Sequence, residues 1–371
     1  MNMQTASDTS LDVQAQNYTV AAFQRQVFRR SNIAAIFVNR QGFTDDVELQ
    51  SDNYNRMAGL DFNLVMADNK WRGKVFSHHT FASGQTNGNA NASWLAYSTP
   101  KLFVMWNHEY VDKHYDAQVG FVPRNKRYDP DQDAIVTQTY WRLEPSVSYK
   151  FYPKSKLINN HGPGIYLDQY LDEDFDNTDV RIRPNYEVNF QNSASLEVLY
   201  NELFTRLFFD TDVTFSGGTP LPAGEYRYRN ANVVFTSNRR NRLNGTIEGE
   251  YGSYYTGNRM SFTGSLTWRK QPWGIFTFDI TRHEIRMPSG FQDAYITLIG
   301  PRAELSFTKS LFFTTFFQYN TQIDNFNINS RLQWRFKPMS DLYIVYTDNY
   351  DQALNIKNRA LVVKLIWWIT L

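Results

Sequence analysis

The chain of 371 residues has no cysteine, so disulfide bonds and thiolate metal sites are excluded. It also has no stretch near the roughly 20 apolar residues that a membrane-spanning helix needs. Its mean hydropathy is low, at −0.52. A net charge of +1 shows no excess of either sign, and this argues against nucleic acid as a partner. The segment Met1–Gln16 has neither a basic start nor an apolar centre, so it is not a signal peptide.

Aromatic residues are abundant, at 16% of the chain, and most are Phe and Tyr. They take part in a strict alternation, which is clearest between Asn325 and Phe336. Phe326, Ile328 and Leu332 belong to one set of alternate positions, while polar residues occupy the other. A strand points successive side chains to opposite faces, so this segment predicts a strand with one apolar and one polar face. Its length exceeds an ordinary globular strand and suits a tilted strand that crosses a bilayer.

The same alternation recurs along the chain, in segments of about ten residues. It is found in Leu60–Met66, Trp141–Lys150, Val180–Gln191, Arg242–Tyr251 and Met260–Arg269. Alternation with an apolar outside and a polar inside is the sequence signature of an outer-membrane barrel. A seven-bladed propeller, with about 50 residues per blade, or a solenoid would also fill this length, but we find no internal repeat.

The sequence therefore predicts an all-β fold, an antiparallel transmembrane β-barrel of about 18–20 strands. We assign residues 1–17 to a polar N-terminal segment and 18–371 to the barrel. About 19 strand-like runs can be counted, whereas bacterial single-chain barrels usually have an even number. An exported protein also needs a signal. We therefore expect that either the signal was removed or this chain is the C-terminal part of a longer protein. The odd count means that strands are missing upstream of Met1 or that one of the runs is wrong.

Short turns and longer polar loops alternate between the predicted strands. Outer-membrane barrels have short periplasmic turns and long outer loops, so this order predicts a bacterial outer-membrane protein with a periplasmic C-terminus. Tyr251–Asn258 is predicted to be a longer loop. Phe151–Gly162 is a long connection on the short-turn side, so either a strand is miscounted there or the chain makes a periplasmic excursion. Tryptophans near the short turns predict an interfacial belt at that end: Trp71, Trp268, Trp273, Trp334, Trp367 and Trp368.

Few motifs suggest a metal-binding or catalytic site. His108, Asp112 and His114 could share one face of a strand, but nothing fixes a metal geometry, so a solvated cluster is favoured. Five carboxylates lie between Leu171 and Val180. Such an oxygen-rich loop can bind calcium, although the central glycine of a calcium loop is absent and a solvated outer loop is favoured. The calcium candidates are Asp172, Asp174, Asp176 and Asp179.

A catalytic site is not evident in the sequence. There is no Gly-x-Ser-x-Gly motif, and no histidine has a spacing that suggests a base for a serine. Asp210 and Asp212 could approach His283 only through the fold, because they are distant in the sequence. Charges of both signs alternate with the apolar residues, so no ion selectivity is predicted. Neither a catalytic residue nor a cofactor is assigned.

Several segments, in order across nearly the whole chain, resemble the C-terminal part of a Bacteroidota outer-membrane family of unknown function. The segments are Arg30–Ile33, Phe37–Arg40, Gly59–Phe62, Gly120–Arg124, Pro222–Tyr226, Asn325–Trp334 and Asp348–Asp351. Members of that family often begin with a family-9-like carbohydrate-binding domain and are loosely labelled membrane-associated hydrolases. In that family the sugar-binding domain precedes the segment that resembles Asn2–Thr5, where the present sequence begins. The hydrolase label would rest on that domain, so it is not carried over.

The resemblance implies a link to glycan in the cell envelope. We therefore expect a surface anchor or passage linked to glycan binding or processing, in contact with outer-membrane lipid. A general diffusion porin and a barrel-embedded hydrolase are the alternatives. The first would show stepwise conductance, and the second would turn over lipid or glycan.

Overall fold

The computed structural model describes residues 1–8, 13–43, 49–323, 325–351 and 356–368. Regular structure in these ranges consists of 23 β-strands, of which 21 belong to one sheet and two form a separate pair. No helix in the described ranges is both long enough and apolar enough to cross a membrane.

The first twelve strands are β1 (Asn2–Thr5), β2 (Gln16–Val27), β3 (Ser31–Phe43), β4 (Leu49–Val65), β5 (Trp71–Ala82), β6 (Gly88–Ser98), β7 (Leu102–Val111), β8 (Lys126–Asp129), β9 (Ala134–Thr137), β10 (Tyr140–Leu143), β11 (Ser146–Tyr149) and β12 (Ile158–Leu171). The others are β13 (Asn177–Phe190), β14 (Ser195–Leu207), β15 (Gly224–Thr236), β16 (Leu243–Tyr254), β17 (Gly257–Lys270), β18 (Gly274–Arg286), β19 (Ala294–Ser306), β20 (Leu311–Asn320), β21 (Asn325–Lys337), β22 (Ser340–Asp351) and β23 (Ile356–Ile366).

Neighbouring strands in the sequence pair antiparallel through short connections, as in β16 with β17 and β17 with β18. Most of these strands have 10–17 residues, which is longer than the usual five or six. The predicted all-β antiparallel class is confirmed. Closure of the sheet into a barrel stays a prediction, as does the presence of strands before Met1.

The count of 23 strands agrees with the predicted number of about 18–20 once two features are recognised. β10 and β11 pair with the same two strands, β7 and β12, so they are one strand interrupted at Glu144 and Pro145. Proline cannot donate to the ladder, but the Pro145 carbonyl still accepts from the Leu167 N–H at 3.0 Å. β8 and β9 pair only with each other in the described residues, inside the connection from β7 to β10.

The chain divides into two compact units. The first comprises Met1–Lys150, Pro163–Arg183 and Leu203–Phe209. In it, β1 covers the start of β2, and the ladder then continues by hairpins from β2 to β7. A small cluster of buried side chains, Ala90, Val111, Tyr115 and Tyr140, packs where β6, β7 and β10 meet. The predicted 1–17 segment therefore contains β1, whereas residues 9–12 lie outside the described ranges.

The second unit comprises Phe151–Gly162, Pro184–Glu202 and Asp210–Leu371. It contains the continuous hairpin ladder from β15 to β23. The register is regular through β17 and β18, and bulges occur near Phe336 and Tyr350. This regular ladder fixes which residues share a face.

Two predicted connections differ in the structure. The predicted loop Tyr251–Asn258 is wrong, because β16 reaches Tyr254 and β17 begins at Gly257. The turn places Tyr255 at φ 50°, and its ring stacks on Tyr228 with centroids 4.9 Å apart, so aromatic packing supports a tight turn. In Phe151–Gly162, a bridge between Phe151 and His161 shortens the connection, since β12 already begins at Ile158. The alternation of strand directions is preserved through it.

Burial across the sheet is inverted relative to a water-soluble protein. The apolar face of β17 is exposed at Met260 (51%), Phe262 (44%), Leu266 (50%) and Trp268 (46%). Several amide side chains of the opposite face are buried instead: Asn201, Asn230, Asn232 and Asn244. Extended exposed apolar surface marks contact with a partner or a membrane. The alternation predicted from the sequence is therefore the alternation that the fold displays.

Candidate functional site: the polar face

The polar face consists of the alternate residues whose side chains hydrogen-bond to one another across neighbouring strands. In the second unit, Ser265 donates to Asp279 at 2.5 Å, and the Thr267 and Thr277 hydroxyls lie 3.4 Å apart. In both cases the two residues lie directly opposite each other in the register of β17 and β18. Register thus converts a local alternation into a connected polar surface.

An amide–carboxylate–guanidinium network covers the polar face of β14–β17. Asn201 donates to Asn230 at 2.7 Å and to Asn232 at 3.0 Å. Asn232 in turn donates to Glu248 at 3.1 Å and to Glu250 at 3.0 Å. Arg259 Nε donates to Glu250 at 2.8 Å, which closes the chain of contacts. Each buried amide therefore has a partner, as a buried polar group requires.

A second network, in the first unit, is centred on Arg142. Its guanidinium donates to Asp168 at 2.8 Å and to Glu144 at 2.9 Å. Glu144 also accepts from Asn107 at 2.6 Å and from the Tyr166 hydroxyl. Mutual pairing of the charges leaves a surface of amides, phenols and paired ions rather than a field of one sign. Such a surface offers hydrogen bonds to a hydroxyl-rich ligand without selecting an ion.

Tyrosines flank the Arg142 network. The Tyr140 hydroxyl donates to Glu109 at 2.5 Å, and the Tyr140 and Tyr170 rings lie 5.8 Å apart. The Arg124 guanidinium lies 4.0 Å from the centre of the Tyr170 ring. Sequence reasoning assigned the alternation of β10 and β11 correctly but did not single out these tyrosines, because their convergence depends on pairing between distant strands.

A serine–histidine contact also lies on the polar face. The Ser261 hydroxyl and His283 Nδ1 are 2.8 Å apart, directly opposite in β17 and β18. No local signal in the sequence points to it, since 22 positions separate the two residues. A nucleophile within hydrogen-bond reach of a base is one element of a hydrolase site. The Ser261–His283 contact is therefore the candidate catalytic pair of the hydrolase alternative.

The four calcium candidates lie in or beside the turn between β12 and β13. Asp172 Oδ1 accepts from the backbone N–H groups of Asp174 and Asp176 at 3.1 and 2.9 Å. Asp172 Oδ2 lies 3.2 Å from Arg206, and Asp176 lies 3.7 Å from the same guanidinium. Asp179 pairs with Arg124 at 2.5 Å. Arginines thus compensate three of the carboxylates, and Asp172 also shapes the turn.

His108, Asp112 and His114, considered above as a metal site, do not converge on one point. His114 Nδ1 lies 2.9 Å from Asp112 Oδ1, whereas His108 Nδ1 lies 3.4 Å from the Ser93 hydroxyl. Within the described ranges, no group of three His, Cys, Asp or Glu side chains is arranged to hold a metal ion.

Asp210 and Asp212 organise their own loop between β14 and β15. Asp210 accepts from the Ala223 N–H at 2.9 Å. Asp212 accepts from the Thr214 N–H at 2.9 Å and hydroxyl at 2.6 Å, and from the Gly217 N–H at 2.8 Å. Desolvation opposes ionisation of Asp212, but the hydrogen bonds from Thr214 and the loop amides outweigh it and lower its pKa below 3.8.

Acidification should loosen this loop. Because the folded pKa of Asp212 lies below its unfolded value, its contribution to stability is complete above pH 3.8 and is lost as the pH falls through the folded pKa. We expect the exchange protection of the Thr214 and Gly217 amides to decrease between pH 5 and pH 2, as measured by hydrogen exchange corrected for intrinsic rate. The Thr211 and Leu221 amides bond to each other's carbonyl groups and serve as the control. Equal losses at both pairs would contradict the role of Asp212.

The likeness of Arg30–Ile33 and the later segments to a Bacteroidota outer-membrane family stays a prediction. A scan of protein-family models finds none that matches this chain, and a search of curated proteins finds no match either.

Proposed function

We propose that this chain is an outer-membrane β-barrel that serves as a surface anchor or passage for glycan-related material of the cell envelope. The observation that carries the proposal is the inverted burial of β15–β18, where large apolar side chains are exposed and buried amides and paired ions occupy the other face. A bilayer would cover the apolar face, and only a closed barrel satisfies strand edges in hydrocarbon.

Aromatic residues at the strand ends support the membrane assignment. Trp71 begins β5, Trp334 lies near the end of β21, and Trp273 is in the turn before β18. All six tryptophans predicted for the short-turn ends are exposed. Tryptophan prefers the membrane–water interface, so these positions suit the boundary of a bilayer.

The glycan assignment rests on the chemistry of the polar face together with the family resemblance. Amides, carboxylates and tyrosine hydroxyls, as in the Arg142 and Asn232 networks, can exchange hydrogen bonds with sugar hydroxyls. Mixed and paired charges do not favour one ion. We infer that neutral, hydroxyl-rich material suits this face best.

Topology provides the test. The loop after β14 contains Gly217 at φ +74°, where an added side chain would meet open space, so an epitope inserted after Gly217 should be tolerated. We expect antibody to label it on intact cells. A matched insertion after Lys309, in the turn between β19 and β20, should be labelled only after the outer membrane is permeabilised. The reverse pattern would contradict the orientation, and soluble protein labelled only in lysates would contradict the barrel.

Two alternatives have distinct readouts. A general diffusion porin would give stepwise conductance in planar bilayers at the level of an open channel. A barrel-embedded hydrolase is the second alternative, favoured by the Ser261–His283 contact. It would require turnover of lipid or glycan by purified protein that Ser261→Ala abolishes and Ser265→Ala leaves unchanged.

A further inference from the structure

A basic pocket of about 500 Å³ opens at the short-turn end of β15–β18. The turn after β15 and the turn after β17 bring its walls together. Four cationic side chains and two indoles line it: Arg240, Arg242, Arg269, Lys270, Trp268 and Trp273. We call this site the basic pocket.

Among the described residues, the cations of the basic pocket have no anionic partner. None of the four makes an ion pair with a carboxylate in the described part of the chain. Elsewhere in the same unit arginines are paired with carboxylates. Arg259 pairs with Glu250, and the Arg282 guanidinium lies 2.9 Å from the Glu284 carboxylate. Four neighbouring positive charges repel one another, and a polyvalent anion among them would remove that repulsion.

Hydrogen bonds hold the two walls in place. Arg269 Nη1 donates to the Arg239 carbonyl at 2.5 Å, and the Arg269 N–H donates to the Arg242 carbonyl at 2.7 Å. The Trp273 N–H donates to the Lys270 carbonyl at 2.9 Å. The cations are therefore displayed on two tied turns. Arg269 ties the turns, and the side chains of Arg240, Arg242 and Lys270 are placed to contact phosphate oxygens, which guanidinium groups contact in pairs.

An apolar groove adjoins the basic pocket and shares Trp268 with it. The groove has a volume of about 480 Å³ and is lined by Leu266, Phe276, Phe278, Pro301 and Phe317 besides Trp268. Leu266 and Phe278 lie two residues farther from the turn than Trp268 and Phe276. The groove therefore runs from the basic pocket along the exposed apolar face.

We propose that the basic pocket and the apolar groove together bind one phospholipid with an anionic headgroup. The phosphate lies among Arg240, Arg242 and Lys270, and an acyl chain lies in the groove beyond Trp268. Charge selects the headgroup, and continuity with the groove selects a lipid over a free anion. This site rests on the proposed membrane function, since the groove meets acyl chains only in a bilayer.

Quenching by brominated lipids tests the site. The protein is inserted into phosphatidylcholine liposomes, with insertion established first by heat-modifiable gel migration. Phosphatidylglycerol with brominated chains should then quench tryptophan fluorescence at lower mole fraction than brominated phosphatidylcholine. Because the chain has nine tryptophans, the Trp268→Phe variant identifies the contribution of the site. That variant should lose the preferential component of the quenching.

Charge variants supply the decisive comparison. Arg240→Gln with Arg242→Gln changes two exposed turn side chains and should weaken the preference on the order of fivefold for each cation removed. Arg282→Gln, at the other end of β18, should keep the parent's preference.

The outcomes separate the two proposals. Failure of the parent to insert would refute the barrel itself. Normal insertion with equal quenching by both lipids, or an unchanged preference in the double variant, would refute the lipid site alone. Displacement of the lipid by excess inorganic phosphate as readily as by unbrominated phosphatidylglycerol would show that the groove plays no part.

Discussion

Replacing Ile247 with arginine should lower the free energy of unfolding from a bilayer by roughly 2–4 kcal/mol, the cost of a cation near the midplane of the proposed lipid face. Ile247 lies in the middle of β16, opposite Phe235 and Gly264 on the exposed apolar face. The new guanidinium would have hydrocarbon on one side and aromatic neighbours on the other. Urea titration of folding into liposomes, followed by heat-modifiable migration, measures the change.

Thr246→Arg is the matched control, one residue earlier in the same strand. Thr246 lies on the polar face, where its hydroxyl is 3.3 Å from that of Thr236. An arginine at position 246 would lie on the same face of β16 as Glu248, which is two residues farther along the strand. We expect at most a small loss of stability. Equal destabilisation by the two variants would show that the two faces of β16 are wrongly assigned.

Gly245→Ala should destabilise the fold by roughly 1–3 kcal/mol, the range for overpacking of a tight site. A Cβ built on Gly245 would lie 2.3 Å from the backbone oxygen of Ser265 and 3.4 Å from the Leu266 Cα. A flexible side chain could move away, but the backbone of β17 can shift only by distorting the ladder with β16. The same titration into liposomes measures the loss.

Gly249→Ala tests whether the effect is local. Gly249 lies on the same face of β16, four residues farther along, and a Cβ there would meet nothing within 4 Å. Removing a glycine from a strand interior gains roughly 0.5–1 kcal/mol when space allows. We therefore expect Gly249→Ala to be neutral or stabilising. A loss as large as that of Gly245→Ala would mean that both glycines are needed for backbone conformation rather than space.

The sequence alone determined the faces of the strands. In Met260–Arg269 and Arg242–Tyr251 every second residue is apolar or glycine, and the large side chains of that set, such as Met260, Phe262 and Ile247, are exposed in β17 and β16. Alternation needs no knowledge of partners, because the side-chain period of a strand is local. The order of turns and loops was also readable, since the glycines and prolines of Arg206–Gly224 and the tryptophans near the short turns are local signals.

Only the tertiary structure decided which side chains meet. The register of β17 against β18 places Ser261 opposite His283, and pairing of β10 with β12 brings Arg142 to Asp168. Those contacts depend on where each hairpin turns, and the two-residue turn at Tyr255 was read from the sequence as a loop. The basic pocket likewise needs two turns that are adjacent in space. Register is a non-local property that turn geometry and cross-strand packing determine. It therefore decides which residues of the predicted faces become neighbours and form a site.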